Sequence, residues 1–140
     1  MTGRARDDRG FVATELALGV AVLVLPVVAI VLTIPTWSER QTTARVIARE
    51  IARTLARSGE CDAQFATDAA AAMGASLGLD APARVSLDCW AGAELEPGSD
   101  LTVNVTVTMP AVRLPALGSF GAWTWTARHR QPVDRYASAR

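Results

Sequence analysis

The chain has 140 residues, with fourteen arginines and no lysine against fourteen Asp and Glu, so it carries no formal net charge at neutral pH. That balance gives no bulk field to attract nucleic acid or another polyanion, and the all-arginine usage reads as a GC-rich coding bias. Once a membrane span and a short leader are subtracted, about a hundred residues remain, enough for one small domain with a modest core.

The first nine residues carry Arg4, Arg6 and Arg9 against Asp7 and Asp8. Basic residues beside a span favour the cytoplasm and acidic ones count for little, so the N-terminus is expected inside. From Leu16 to Pro35 there are twenty residues without a charge, enough at 1.5 Å per residue to cross a hydrocarbon core of about 30 Å. A secretory signal peptide would have a shorter apolar region and a small-residue cleavage site. Ile34-Pro35-Thr36-Trp37 lacks that pattern, so the helix is expected to stay as a single-pass anchor in the cell membrane. The residue out of place is Glu15, at the threshold of the span, where a carboxylate carried to the bilayer centre would cost roughly 2.5–3.5 kcal/mol.

A hydrophilic leader ending in Gly10, then Phe11, then Glu15 as the fifth residue after the glycine, then an apolar helix, resembles a type IV prepilin processing site. Arg9-Gly10 followed by Glu15-Leu16-Ala17-Leu18 is more closely similar to the TadE-like proteins, minor pseudopilins of tight-adherence pilus systems. Leu16 stands where the major pilins of such systems usually have Tyr, and the chain is much longer than they are. Cleavage by a membrane prepilin peptidase between Gly10 and Phe11 is what the resemblance implies. The new α-ammonium would be neutralised by Glu15 of a neighbouring helix, setting subunit register. The implied partners are that peptidase, other pilins, and an inner-membrane assembly platform with its ATPase. The competing account is an uncleaved signal anchor, with Glu15 in a first helical turn stabilised by the helix dipole.

Pro26 removes a helical hydrogen bond and is expected to kink the span, and Pro35 kinks it again or marks its outer boundary. Trp37 sits where an interfacial anchor belongs. Beyond it Ala44, Ile47, Ile51 and Leu55 share one face of an amphipathic helix over 38–58, with Arg45, Arg49, Arg53 and Arg57 on another. The arginine stripe reads either as a solvated face, with Glu50 pairing weakly to Arg53 or Arg57, or as contacts to acidic faces of neighbouring subunits or to lipid headgroups. Ser58-Gly59 is the expected C-cap.

The stretch 60–80 holds a short helix over 63–77, capped by Asp62 or Thr67, with Phe65, Ala69, Ala72, Met73 and Leu77 as its apolar positions. Strands are expected at 83–90, at 101–109 and at 123–130, with a turn at 96–100 and a loop at 110–121. In the middle strand Leu101, Val103, Val105, Val107 and Met109 alternate with Thr102, Asn104, Thr106 and Thr108, so one face is covered, and the long helix is its natural cover. Trp123 and Trp125 are expected in the core or at the membrane interface. The tail, 131–140, is polar. The expected fold is therefore α+β: a leader (1–10), a membrane-spanning helix (11–37) and an extracytoplasmic domain (38–140) in which the helix continues and packs on a small antiparallel sheet (83–130). Helix plus sheet in that order is the pilin-like architecture the resemblance implies.

Cys61 and Cys89 both fall in the domain placed outside, where a bridge is expected and would stabilise by about 3–4 kcal/mol. Two buried free thiols are the alternative. Two cysteines and the lone His129, expected on the surface, cannot complete a metal site. No cofactor is expected, and no phosphate loop, zinc-protease motif or nucleophile elbow occurs, so an enzyme is not expected. Two functions stay open: a pilus-assembly pseudopilin, or an uncleaved surface module whose tryptophan-bearing sheet binds a ligand.

Overall fold

The computed structural model describes residues 9–89, 94–114 and 118–136, with the side chains of 9–12 and 113–114 left out. The leader up to residue 8 and the tail beyond Tyr136 lie outside the described residues.

Helix α1 runs from Arg9 to Ser58, 50 residues, continuously through Pro26 and Pro35. At 1.5 Å per residue it is about 75 Å long. The span and the amphipathic helix are thus one element, and the prolines interrupt it nowhere. Its first half cannot be satisfied in water. Leu16, Leu23 and Leu32 are each about 70% exposed (69%, 72% and 71%), and a single chain rarely leaves so large an apolar surface uncovered. The helix is long and apolar enough to cross a membrane, and none of its apolar window is buried in the protein. It is a candidate single-pass anchor near the N-terminus.

The second half of α1 packs on a sheet. Ala44, Ile47, Ile51 and Leu55, the four expected positions, are fully buried, together with Ala48 and Ala52. The helix ends because Gly59 adopts φ 74°, a left-handed conformation that costs other residues about 1–2 kcal/mol, and its N–H donates to the Leu55 carbonyl at 3.0 Å. The expected cap is present.

Asp62 caps the next helix, α2 (Ala63–Ser76), by accepting from the Phe65 N–H. The buried face of α2 differs from the expected one. Ala66, Ala70 and Gly74 are buried, Ala69 and Met73 are half-buried, Ala72 is exposed, and Phe65 and Leu77 stand out at 40% and 47% exposure. Small side chains four residues apart let the helix backbone approach its neighbours, and the bulky positions turn to the rim.

Three strands, β1 (Arg84–Cys89), β2 (Asp100–Met109) and β5 (Trp123–Pro132), make an antiparallel sheet in the order β1-β2-β5. The apolar side of central β2 is buried from Leu101 to Met109. Register places Val85, Leu87 and Cys89 of β1 and Ala127 and Trp125 of β5 opposite those residues, on the same face. On the other face the hydroxyls of Thr106 and Thr126 meet at 2.8 Å. Glu96-Pro97-Gly98-Ser99 is a turn closed by Ser99 N–H to the Glu96 carbonyl, with Gly98 at φ 82° after the proline.

Two expectations are corrected. Residues 110–121 are not simply a loop: β3 (Val112–Leu114) and β4 (Gly118–Phe120) pair as a separate hairpin. The prolines and glycines there punctuate two short strands. His129 is not a freely exposed side chain. It lies opposite Val103 on the helix-facing side, half-buried, with Nε2 3.4 Å from Gln131 Oε1.

Candidate functional site

The chemistry singled out in the sequence gathers at the amino-terminal end of α1. Gly10 and Phe11 lie within α1 as described, and glycine weakens a helix locally. The side chain of Phe11 lies outside the described residues. Glu15 is exposed. Among the described residues the ion pairs join Arg40 to Asp80 and Arg130 to Asp100, so Glu15 has no cation of its own chain there. Ala13, Leu16, Ala17, Val20, Ala21, Val24 and Leu25 line a shallow apolar groove along one side of the helix, and Glu15 lies on the other side, beside the uncharged Leu18, Gly19 and Val22. A carboxylate set in such a surface demands a charge or proton from outside that surface.

The arginine stripe is far from this end. Arg45, Arg49, Arg53 and Arg57 are all exposed, off the stripe of buried alanines and isoleucines, with Arg45 at its flank. Arg45 lies over the Trp125 ring, 5.2 Å from its centroid, a cation–π contact worth about 0.5–1 kcal/mol at an exposed site. The expected pairing of Glu50 with Arg53 or Arg57 does not occur among the described residues. At (i, i+3) and (i, i+7) spacing on a solvated face, side-chain freedom outweighs so weak a pair. The stripe offers charge to a partner, with Arg45 tied down by its ring.

A disulfide joins Cys61 to Cys89, Cα to Cα 6.4 Å. It connects the junction of α1 and α2 to the end of β1, and both cysteines are half-buried against the core. On the outer face of the sheet Arg130 bonds Asp100. That hydrogen bond first, and the charge of Asp100 second, raise the Arg130 pKa above its ordinary value.

One arrangement went unread in the sequence. On α1 the half-buried positions Pro26, Ala29, Thr33 and Trp37 continue the core stripe downward into the apolar run. Trp37 Nε1–H donates to the Pro110 carbonyl at 3.0 Å and its ring meets Trp123 edge to face, centroids 6.3 Å apart. Arg40, one turn on, donates to the Thr108 carbonyl and to Asp80. These contacts fasten the end of β2 to the helix, so the β3–β4 hairpin hangs beside the span. Between them lies an apolar cleft of about 410 Å³, lined by Pro26, Ile30, Trp37, Val112, Phe120, Gly121 and Trp123. The single charged residue between Met109 and Trp123, Arg113, was the available signal that this segment is not an ordinary polar loop.

Among the described residues no cluster of His, Cys, Asp or Glu is placed to hold a metal ion. Comparison of the chain with protein-family models, with curated proteins and with solved structures gives no match.

Proposed function

We propose that this chain is a TadE-like pseudopilin: a membrane-anchored protein that takes part in assembling a tight-adherence pilus after a prepilin peptidase removes its leader between Gly10 and Phe11. The observation that carries the reading is Glu15. It is exposed in an uncharged helix surface with no ion-pair partner among the described residues. An α-ammonium created at Phe11 of a neighbouring subunit supplies the missing charge, and two ions that share a dry environment each lower the other's burial cost.

The rest of the molecule suits that role. The apolar groove from Ala13 to Leu25 is a surface for helices of other subunits. The Cys61–Cys89 bridge fits a domain held on the oxidising side of the membrane. The arginine stripe stands ready for acidic faces of companion pilins, and an assembly platform with its ATPase would act through the membrane half of α1. The role is structural, with no reaction assigned to the chain.

The test is the N-terminal sequence and intact mass of the protein from membranes of cells with and without the peptidase. A start at Phe11 that depends on the peptidase is expected. A start at Met1 or Thr2 in both strains overturns the reading and leaves a surface-displayed binding module. Glu15→Leu is expected to abolish assembly while membrane insertion stays intact, and normal assembly of this variant would remove the role given to Glu15.

A further inference from the structure

The hairpin raises a question of level. Its partner in the cleft is the apolar run of α1, and Pro26 lies eleven residues below Trp37, about 17 Å along the helix axis. The run stays free of charge through the whole cleft, up to Glu39. If Leu16 to Pro35 crosses a bilayer, a hairpin packed beside Pro26 and Ile30 is at bilayer depth, whatever its own composition. Its composition agrees: Phe120 and Trp123, which line the cleft, stay 54% and 42% exposed, and Arg113 is the single charge between Met109 and Trp123.

We propose that the β3–β4 hairpin is a second membrane contact, dipping into the leaflet on the domain's side, and that phospholipid acyl chains fill the cleft between it and α1. This rests on reading α1 as the membrane span and does not need the pilus. Continuity with the span selects lipid over other occupants, because the wall formed by Pro26 and Ile30 is itself span surface. Backbone sets the depth. A hairpin of three residue pairs leaves outward-facing N–H and C=O groups along both edges, which hydrocarbon cannot satisfy. The hairpin therefore rests in the upper leaflet, its edges reaching water and headgroups while Phe120 and Trp123 enter the acyl layer, the level that aromatic side chains favour. Lying beside α1 at this level, the hairpin also narrows the range of tilts open to the domain.

The experiment uses the full chain in vesicles of phosphatidylethanolamine and phosphatidylglycerol. Nitroxide labels are placed at Ser119→Cys in the hairpin, Val24→Cys in the span and Thr67→Cys on exposed α2, with the native disulfide intact. Relaxation by oxygen, which concentrates in lipid, is compared with relaxation by a water-soluble nickel chelate. The Ser119 label is expected to lie nearer Val24 than Thr67, at high dilution of protein in lipid. A Ser119 label as open to nickel as Thr67, with Val24 protected, overturns the proposal while the anchor stands. Val24 open to nickel overturns the anchor and the proposal together. Protection of Ser119 that appears only when protein is concentrated gives the cleft to a second copy and also overturns it. Unlabelled wild-type protein gives an independent reading: a phospholipid with a photoactivatable acyl chain should mark residues 110–123 as well as the span, and adducts confined to the span refute the proposal.

Discussion

Removing the Cys61–Cys89 bridge should destabilise the domain by an amount the structure fixes in advance. The bridge spans a separation of 28 residues, and the chain-entropy relation converts a loop of that size to about 3–4 kcal/mol at 25 °C. For a folded part of about a hundred residues each kcal/mol moves the midpoint by roughly 4–8 °C, so the variant Cys61→Ser/Cys89→Ser should melt on the order of 15–25 °C below the oxidised wild type. The cysteines meet between the α1 cap at Gly59, the α2 cap at Asp62 and the last residue of β1, so α2 should loosen first. The assay is thermal unfolding in detergent micelles by near-ultraviolet circular dichroism, which sees Trp37, Trp123 and Trp125 and is blind to the helix held in the micelle. Wild type treated with reductant should coincide with the variant. A fall of less than about 5 °C would refute the reasoning, because packing of α2 and β1 alone would then hold the domain.

Truncation at the centre of the helix–sheet contact, Ile51→Ala, should cost about 2–5 kcal/mol in urea unfolding, whereas Val46→Ala on the exposed side should stay within about 0.5 kcal/mol. Asp62→Ala removes the acceptor for the Phe65 N–H and should cost about 1 kcal/mol, read as faster amide exchange confined to the start of α2. Within the arginine stripe, Arg45→Gln should lower stability by about 0.5–1 kcal/mol through loss of the Trp125 contact. Arg49→Gln, Arg53→Gln and Arg57→Gln should each fall within about 0.5 kcal/mol, and equal losses at all four would show that the ring contact contributes nothing.

Features with a local period were legible in the sequence. Four of the helix positions that face the sheet follow from a repeat of three and four residues, and the covered face of β2 from strict alternation, because both repeats are consequences of backbone geometry alone. The turn at Pro97-Gly98, the cap at Gly59 and the pairing of the two cysteines were legible for similar reasons of backbone freedom and count. What escaped depends on neighbours. Which side of an alanine-rich helix is buried is decided by how close its partners come, so Ala66, Ala70 and Gly74 displaced the bulkier Phe65 and Leu77. The side of β5 that His129 takes follows from pairing with β2. The hairpin at 112–120 is too short to show a period and reads as a loop until the helix beside it is in view. Glu15 is the limiting case: its position can be read, yet its partner, in the reading proposed here, belongs to another molecule.

No loop separates the apolar half of α1 from the half that carries the sheet. The buried stripe of Ala44 to Leu55 continues as half-buried positions down to Pro26 on one continuous helix, and Trp37 and Arg40 tie the sheet to that helix at the crossing point. A load applied to the membrane end therefore reaches the domain through helical backbone and not through a loop. A tethered domain on a loose linker would absorb such a stroke; this one transmits it.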